Sequence, residues 1–531
     1  MSILEEAYSL RNKKINKIEK IKEEKIPLEF FNSLEELCKG SYEENITASD
    51  TKHFLKCFGI YDKGTEDSFV IRIRIPGGQL SVTQALRLAQ TAKKYGKDYI
   101  DITTRGQLEF RNLKFNELPT VLKELEDVGI TTFQTAGDNF RGVVTSPLDG
   151  YSKTSYIKAM PLVKEIQEVF LKNEAWIGTL PRKFNTGVLA DEINDCNIFG
   201  HDCAFALAKK DKEIGFNLYL GGKVGVQARA LNLFVKEEQV KKVFETIVTL
   251  FKTYGFRDNR NKNRLTFLLD AVSLEEFAKA INEHSKLELS EAGELLVNKE
   301  FKLDDSSTIE LRDNKSAVHF GIPSGIFTGS DLEATAMLAL ETDSKIRLTY
   351  EQSFYIISDS KNIETIKNSE LYKKYDSFHN IYFNNQIACA GTHECSFGVI
   401  PNKPDAIEMA NYLNKNIPIE NGKVRMYWSA CPKGCGIHGV ADVGFEGAKA
   451  KDEEGNSCYG VKIFLGGKAT NSILEARQIS KAIPIPKAQE VVKELLTIYK
   501  NERLEGETFE SFDTRVLAHL SIEEIQEKIG L

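Results

Sequence analysis

Residues 389–395 read CAGTHEC and residues 431–435 read CPKGC. Four of the nine cysteines, Cys389, Cys395, Cys431 and Cys435, stand in these two close pairs. An apolar stretch with helical spacing, containing proline and asparagine, separates them. Four thiolates gathered this way suit a four-iron cluster, each iron taking one sulfur. Zinc competes, although structural zinc sites commonly leave only about two to four residues between paired ligands. A disulfide pair needs an oxidising compartment, and thiols that merely pack need no partner. Spacing favours the cluster over these three.

A chain of 531 residues is long enough for two or more domains, each with its own core. Its composition, 41% hydrophobic and 28% charged, is that of a globular protein. A net charge of −7 argues against general nucleic-acid binding. The first residues, MSILEEAYSLRNKKINKIEK, lack the apolar core of a secretory signal, and no apolar run reaches membrane-spanning length. The expectation is a cytoplasmic chain with reduced thiols, no membrane partner and no nucleic acid. Cys38, Cys57, Cys196, Cys203 and Cys458 are scattered singly, and even Cys196 and Cys203, which flank His201, read as packing thiols.

Residues 1 to about 60 read as charged and then amphipathic helix. FVIRIRI from Phe69 alternates as a half-buried strand does, and Pro76, Gly77 and Gly78 end it. Ser81 and Gln84 form a capping box ahead of a helical stripe at Val82, Ala85, Leu86 and Ala89. Tyr99–Thr103 predicts a second strand and LPTVLKELEDVG a second helix, giving a β-α-β-α unit. That unit returns. IPGG at Ile75 is echoed by IPSG at Ile322, IDITTRGQLEF at Ile100 by IRLTYEQSFYI at Ile346, and GFNLYLGG by GVKIFLGG. Three echoes in order, 245 to 247 residues apart, imply an internal duplication. A constant offset sets the first cysteine pair opposite DNFRG and the second opposite PRKFN. The first half is rich in cations there: Arg74, Arg105, Arg111, Arg141, Arg182 and Lys183.

ACAGTHECSFG followed by YWSACPKGCGIHGVADVGF resembles the cluster-binding half of the sirohaem-dependent nitrite and sulfite reductases. The resemblance covers nearly the whole chain and is closest to the ferredoxin–nitrite reductases. It implies an α+β fold, internally duplicated, with ferredoxin-like half-domains around a central sirohaem and [4Fe-4S] site. Its division would be an N-terminal helical segment (1–65), a first ferredoxin-like half-domain (66–145), a sirohaem and substrate domain (146–310), a second half-domain (311–385) and a cluster-binding domain with tail (386–531). Cys389, Cys395, Cys431 and Cys435 become the cluster ligands, with Cys435 also joining the cluster to the sirohaem iron. Thr103, Arg105 and Arg111 match the motif that grips the sirohaem rim. Arg74, Arg141, Lys183 and Asn185 match the positions around the substrate. Two residues depart from the motif, Gly106 and Glu109, where the family commonly carries glutamines. Glu109 would set an acid near the ring carboxylates unless it pairs with a cation such as Arg111.

The resemblance further implies a monomer that reduces nitrite to ammonium by six electrons, with ferredoxin as donor. Assimilatory sulfite reductases commonly place a lysine where Asn185 stands, so Asn185 favours nitrite. A sulfite reductase of the same architecture is the alternative, and a metal-stabilised scaffold is the alternative of another class.

Overall fold

The computed structural model describes residues 2–65, 67–300 and 307–531. Helices Ile3–Arg11, Lys17–Lys22 and Pro27–Leu37 open the chain, bearing most of their charges outward, with Glu19 buried, and burying apolar residues such as Leu4, Phe30 and Leu34. The first half-domain follows as β1 (Phe69–Ile73), α1 (Val82–Tyr95), β2 (Tyr99–Ile102), β3 (Leu108–Leu113) and α2 (Leu118–Glu126). Both arms of the Ser81–Gln84 capping box are made. The unit is therefore β-α-β-β-α, with one strand more than the sequence predicts. Glu109 and Arg111 hide β3 from a hydrophobic reading, because they are buried against each other instead of facing water. The hairpin before it closes through Gly106 N–H to the Thr103 carbonyl at 3.1 Å, with Gly106 at φ 58. That backbone favours glycine, which accounts for the departure from the motif there.

Beyond the first half-domain lie α3 (Ala159–Phe170), β4 (Thr186–Leu189), β5 (Cys203–Lys210), β6 (Glu213–Leu220), β7 (Arg229–Val235) and α4 (Val240–Tyr254). The pattern then repeats. β8 (Lys315–Phe320), α5 (Gly329–Glu341), β9 (Lys345–Leu348) and β10 (Phe354–Asp359) mirror β1, α1, β2 and β3. β11 (Gln386–Ala388), α6 (Lys403–Asn416), β12 (Met426–Ser429), β13 (Val443–Lys451), β14 (Ser457–Leu465) and α7 (Ile485–Glu502) complete the second half.

The two ferredoxin-like sheets exchange edge strands. Gln79–Leu80 of the first half pairs with β9, while Ile326–Thr328 of the second pairs with β2. One apolar core runs through both, from Ile71, Leu88 and Phe110 to Phe320, Ile346 and Ile356. Separate cores lie beneath α3 and α4 and beneath α6 and α7. Residues 140–144 bridge to 184–187, so DNFRG belongs with the sheet of β4 to β7 although residue 145 was the expected boundary. Among the described residues, no helix is long and apolar enough to cross a membrane.

The registers correct the constant-offset alignment of the two halves. Thr186 pairs with Cys203 as Met426 pairs with Val443, each partner lying 240 residues on. Asp202 accepts from the Asn185 N–H at 2.8 Å, just as Asp442 accepts from the Arg425 N–H at 2.7 Å. PRKFN thus stands opposite residues 421–425, and Cys431 and Cys435 stand opposite Asp191 and Asp195. Likewise Val144 pairs with Gly187 as Ile387 pairs with Tyr427, which sets Cys389 opposite Ser146, five residues beyond Arg141. Loops of unequal length separate the echoes, and hydrogen-bond register, not loop length, is what duplication preserves.

Candidate cluster and anion site

β11 and β12 run parallel and both end at the cysteine loops. Cys389 follows β11 directly and donates its N–H to the Trp428 carbonyl at 3.1 Å. Its sulfur accepts from the Ala430 N–H at 3.2 Å and from Asn402 Nδ2 at 3.4 Å. Such donors favour a thiolate and help set the potential of a cluster. Burial nevertheless pushes the free Cys389 thiol up to about 11. Cys389 and Cys431 each lie within electrostatic reach of both Cys395 and Cys435, so the four sulfurs share one neighbourhood. Among the described residues, no three His, Cys, Asp or Glu side chains converge on a single-ion position. The two cysteine loops thus form a four-thiol cradle.

The cradle depends on close backbone approaches. A Cβ on Gly436 would lie 1.8 Å from the Trp428 carbonyl oxygen, and one on Gly391 1.9 Å from that of Pro401. Trp428 is fully buried behind the loop and stacks on Phe445 with centroids 3.9 Å apart. From the other half, Arg111 Nη1 approaches Glu394 Oε2 at 3.7 Å, and Lys63 pairs with the same carboxylate. Glu394 adjoins Cys395, so the first half-domain braces the cysteine loop.

Facing the cradle is a group of cations. Arg72, Arg105 and Lys183 lie within electrostatic reach of Cys435. Burial first, then Arg264, Arg105 and Arg141, drive the Lys183 ammonium well below its ordinary value of 10.5. Burial, with Arg72 and Arg105 nearby, lowers Arg141 to about 9. Among the described residues, neither Arg105 nor Lys183 has a side-chain carboxylate partner, and Arg141 Nη1 is buried without any partner. Asn185 is 5% exposed and its Oδ1 is also buried and unpartnered. Surplus cations beside a thiol cradle, Arg141 buried and Arg105 and Lys183 half-buried, fit an anionic occupant, whether a macrocycle rimmed with carboxylates or a small oxyanion.

The structure brings Arg105, Arg141, Lys183, Asn185 and Cys435 to this locality. It uses three other expected residues differently. The Arg74 guanidinium is 2% exposed and donates to the carbonyls of Phe133, Phe140 and Arg141, so it holds the DNFRG segment from behind. Arg111 is committed to Asp101 and Glu109. Thr103 Oγ1 accepts from the N–H groups of Arg105 and Gln107 and so shapes the turn that carries Arg105. Glu109 pairs with Arg111 at 2.7 Å and with Arg72 at 2.6 Å, which keeps its charge away from any ring carboxylate.

Two cations escaped the sequence reading. Arg72 is two residues before Arg74 in FVIRIRI, and strand alternation alone could have paired them. Arg264 lies in NKNRLTF with no motif around it, and it reaches the site by a fork onto Asp202 at 2.8 and 2.6 Å.

Comparison with known proteins agrees with this geometry. The model of the nitrite and sulphite reductase 4Fe-4S domain matches residues 136–289 and 383–530, and that of the nitrite/sulfite reductase ferredoxin-like half domain matches 61–128. The chain is 30% identical to the chloroplastic ferredoxin–nitrite reductase of Spinacia oleracea, covering 91% of this chain and 85% of that protein. It is 31% identical to the ferredoxin–nitrite reductase of Synechococcus elongatus over 86% of this chain and 91% of that one. The structure of the NirA protein of Mycobacterium tuberculosis shares the fold, with a TM-score of 0.85 at 21% identity over 97% of this chain and 98% of that one. The four-thiol cradle, the duplicated half-domains and these matches together place the chain in the nitrite and sulfite reductase family of oxidoreductases.

Proposed function

We propose that the protein is an assimilatory-type nitrite reductase, taking nitrite to ammonium with six electrons and eight protons. A ferredoxin-like protein is the proposed donor. Cys389, Cys395, Cys431 and Cys435 would hold a [4Fe-4S] cluster, and Arg105 with its neighbours would hold sirohaem. When bound, these groups supply the electron transfer. The chain's own part is to attract and orient the anion and to deliver protons. The observation that carries this reading is the surplus of cations by Cys435: half-buried Arg105 and Lys183 lie within its electrostatic reach, with buried Arg141 beside them. The exposed Lys433, between the cysteines of CPKGC, offers a charge for an acidic donor. Purified protein assayed with nitrite and sulfite under one artificial reductant tests the proposal. Ammonium formation with the higher kcat/KM on nitrite supports it, and a higher kcat/KM for sulfide formation would overturn it.

Lys183 makes the binding step pH-dependent. Burial and its cationic neighbours depress it, and a bound anion offsets that repulsion, so nitrite binding takes up a proton. KM for nitrite should therefore rise with pH across the interval between the free and the nitrite-bound pKa of Lys183. Lys183→Met should flatten that slope. An identical slope in the variant would remove Lys183 from the binding step.

Asn185 sets the charge count. It lies two residues after Lys183, on the same face of an extended segment. Its amide offers a neutral hydrogen bond where a lysine would give a charge-assisted contact worth about 1.5–3 kcal/mol to a dianion. Asn185→Lys should shift kcat/KM toward sulfite relative to nitrite by roughly one to two decades. An unchanged ratio at full sirohaem loading would show that this residue does not govern substrate choice.

A further inference from the structure

A groove of about 590 Å³ lies between the first half-domain, α3 and β9, and none of its described lining residues is a cradle cysteine, Arg72, Arg105, Arg141 or Lys183. Its volume is that of a site for a small organic ligand. Arg74, Lys164, Lys345 and Arg347 line it, and among the described residues no aspartate or glutamate does. Arg347 is 7% exposed, yet its Nε has no partner; Gln167 on α3, 5% exposed and also lining the groove, leaves Oε1 unpartnered. Lys164 and Lys345 are exposed and make no ion pair among the described residues. The nearest carboxylate to Arg347, that of Asp149, does not line the groove and is committed to the N–H groups of Ala159 and Met160 at 2.7 and 3.0 Å.

The duplication sharpens the point. Arg347 pairs with Tyr355 as Asp101 pairs with Glu109, so Arg347 and Asp101 hold equivalent places. Asp101 is neutralised by Lys403, whose Nζ lies 2.7 Å from Oδ1 and 2.6 Å from the Ser324 carbonyl. Lys403 is the first residue of α6; the first residue of the equivalent α3 is Ala159. One half fills the place with an internal ion pair. The other inverts the charge, removes the partner and leaves a groove.

We propose that this groove is a second anion site, distinct from the redox centre, for a small organic polyanion of about nucleotide size. Its clustered phosphate or carboxylate oxygens would meet Arg347, Lys345 and Lys164, and its apolar part would lie on Leu80, Val82 and Leu171. The N-terminus of α1, at Ser81 and Val82, adds a favourable dipole end. Titration calorimetry of the holoenzyme with pyrophosphate, ATP and citrate separates the sources of that chemistry. At least one probe should bind saturably at one per chain, without competing with nitrite. Lys164→Glu/Lys345→Glu changes only exposed side chains and should weaken that binding at least tenfold, with melting temperature and nitrite KM unaltered. Arg347→Gln should weaken it as well. Three results would each overturn the proposal: no saturable binding of any probe, equal binding by the double variant, or a raised nitrite KM in that variant. The last would make the groove part of the nitrite site.

Discussion

Cys435→Ser should abolish nitrite turnover and lower the iron content of the purified protein, whereas Cys458→Ser should leave both unchanged. Cys435 ends a loop held by the Gly434 turn and the tight Gly436 contact, and it is the cysteine that faces Arg72, Arg105 and Lys183. A serine hydroxyl is a hard, weakly acidic ligand where soft iron–sulfur chemistry wants a thiolate. Losing an outer-shell partner of a metal typically costs about 10–100-fold, and a direct ligand should cost more. Cys458 lies on β14 opposite Ala450, outside the cradle. Equal iron content and activity in the two variants would refute the ligand assignment.

Asp101→Ala should destabilise the protein by about 3–5 kcal/mol, the loss expected when one partner of a buried ion network is removed. Asp101 is 3% exposed and accepts from both Arg111 and Lys403, themselves 5% and 4% exposed. Without it, among the described residues Lys403 keeps only the Ser324 carbonyl, and Arg111 keeps Glu109 and the more distant Glu394. Burial raises the Asp101 carboxyl, but Arg111 and Lys403 overcome it and hold the group down to about 2. Its contribution is therefore full above the ordinary carboxylate value of 3.8 and is lost as pH falls toward 2. Denaturation midpoints at neutral pH measure the loss. A shift below about 1 kcal/mol, the range of exposed pairs, would mean that the network is not mutually dependent. Asp101→Asn should fall between the two, because it keeps an acceptor without the charge.

That the two cysteine pairs come together was legible because their close spacing is written in adjacent residues. The duplication was legible because turns such as IPGG and IPSG constrain the backbone and preserve their glycines: Gly78 and Gly325 both sit at φ 69. What the sequence concealed was direction. Arg72 and Arg74 share a strand face, but the carbonyls of the DNFRG segment capture Arg74 and leave Arg72 toward the cradle. Arg111 looked like a rim cation until Asp101, ten residues upstream, came beside it across the hairpin. The misplaced register of the second cysteine pair has the same origin, since sheet pairing is set in space and echoes are read along the chain.

The exchange of Gln79–Leu80 for Ile326–Thr328 has a consequence for how the chain reaches this state. Neither ferredoxin-like sheet can complete its edge until a strand some 250 residues away has been synthesised and has found it. Closing loops of that length delays the reward for forming either half. The first half should therefore emerge from the ribosome with an unfinished edge, open to wrong pairing until its counterpart arrives. An expressed fragment ending near residue 300 should collect in aggregates, and co-expression of the remaining chain should rescue it by restoring the missing strand.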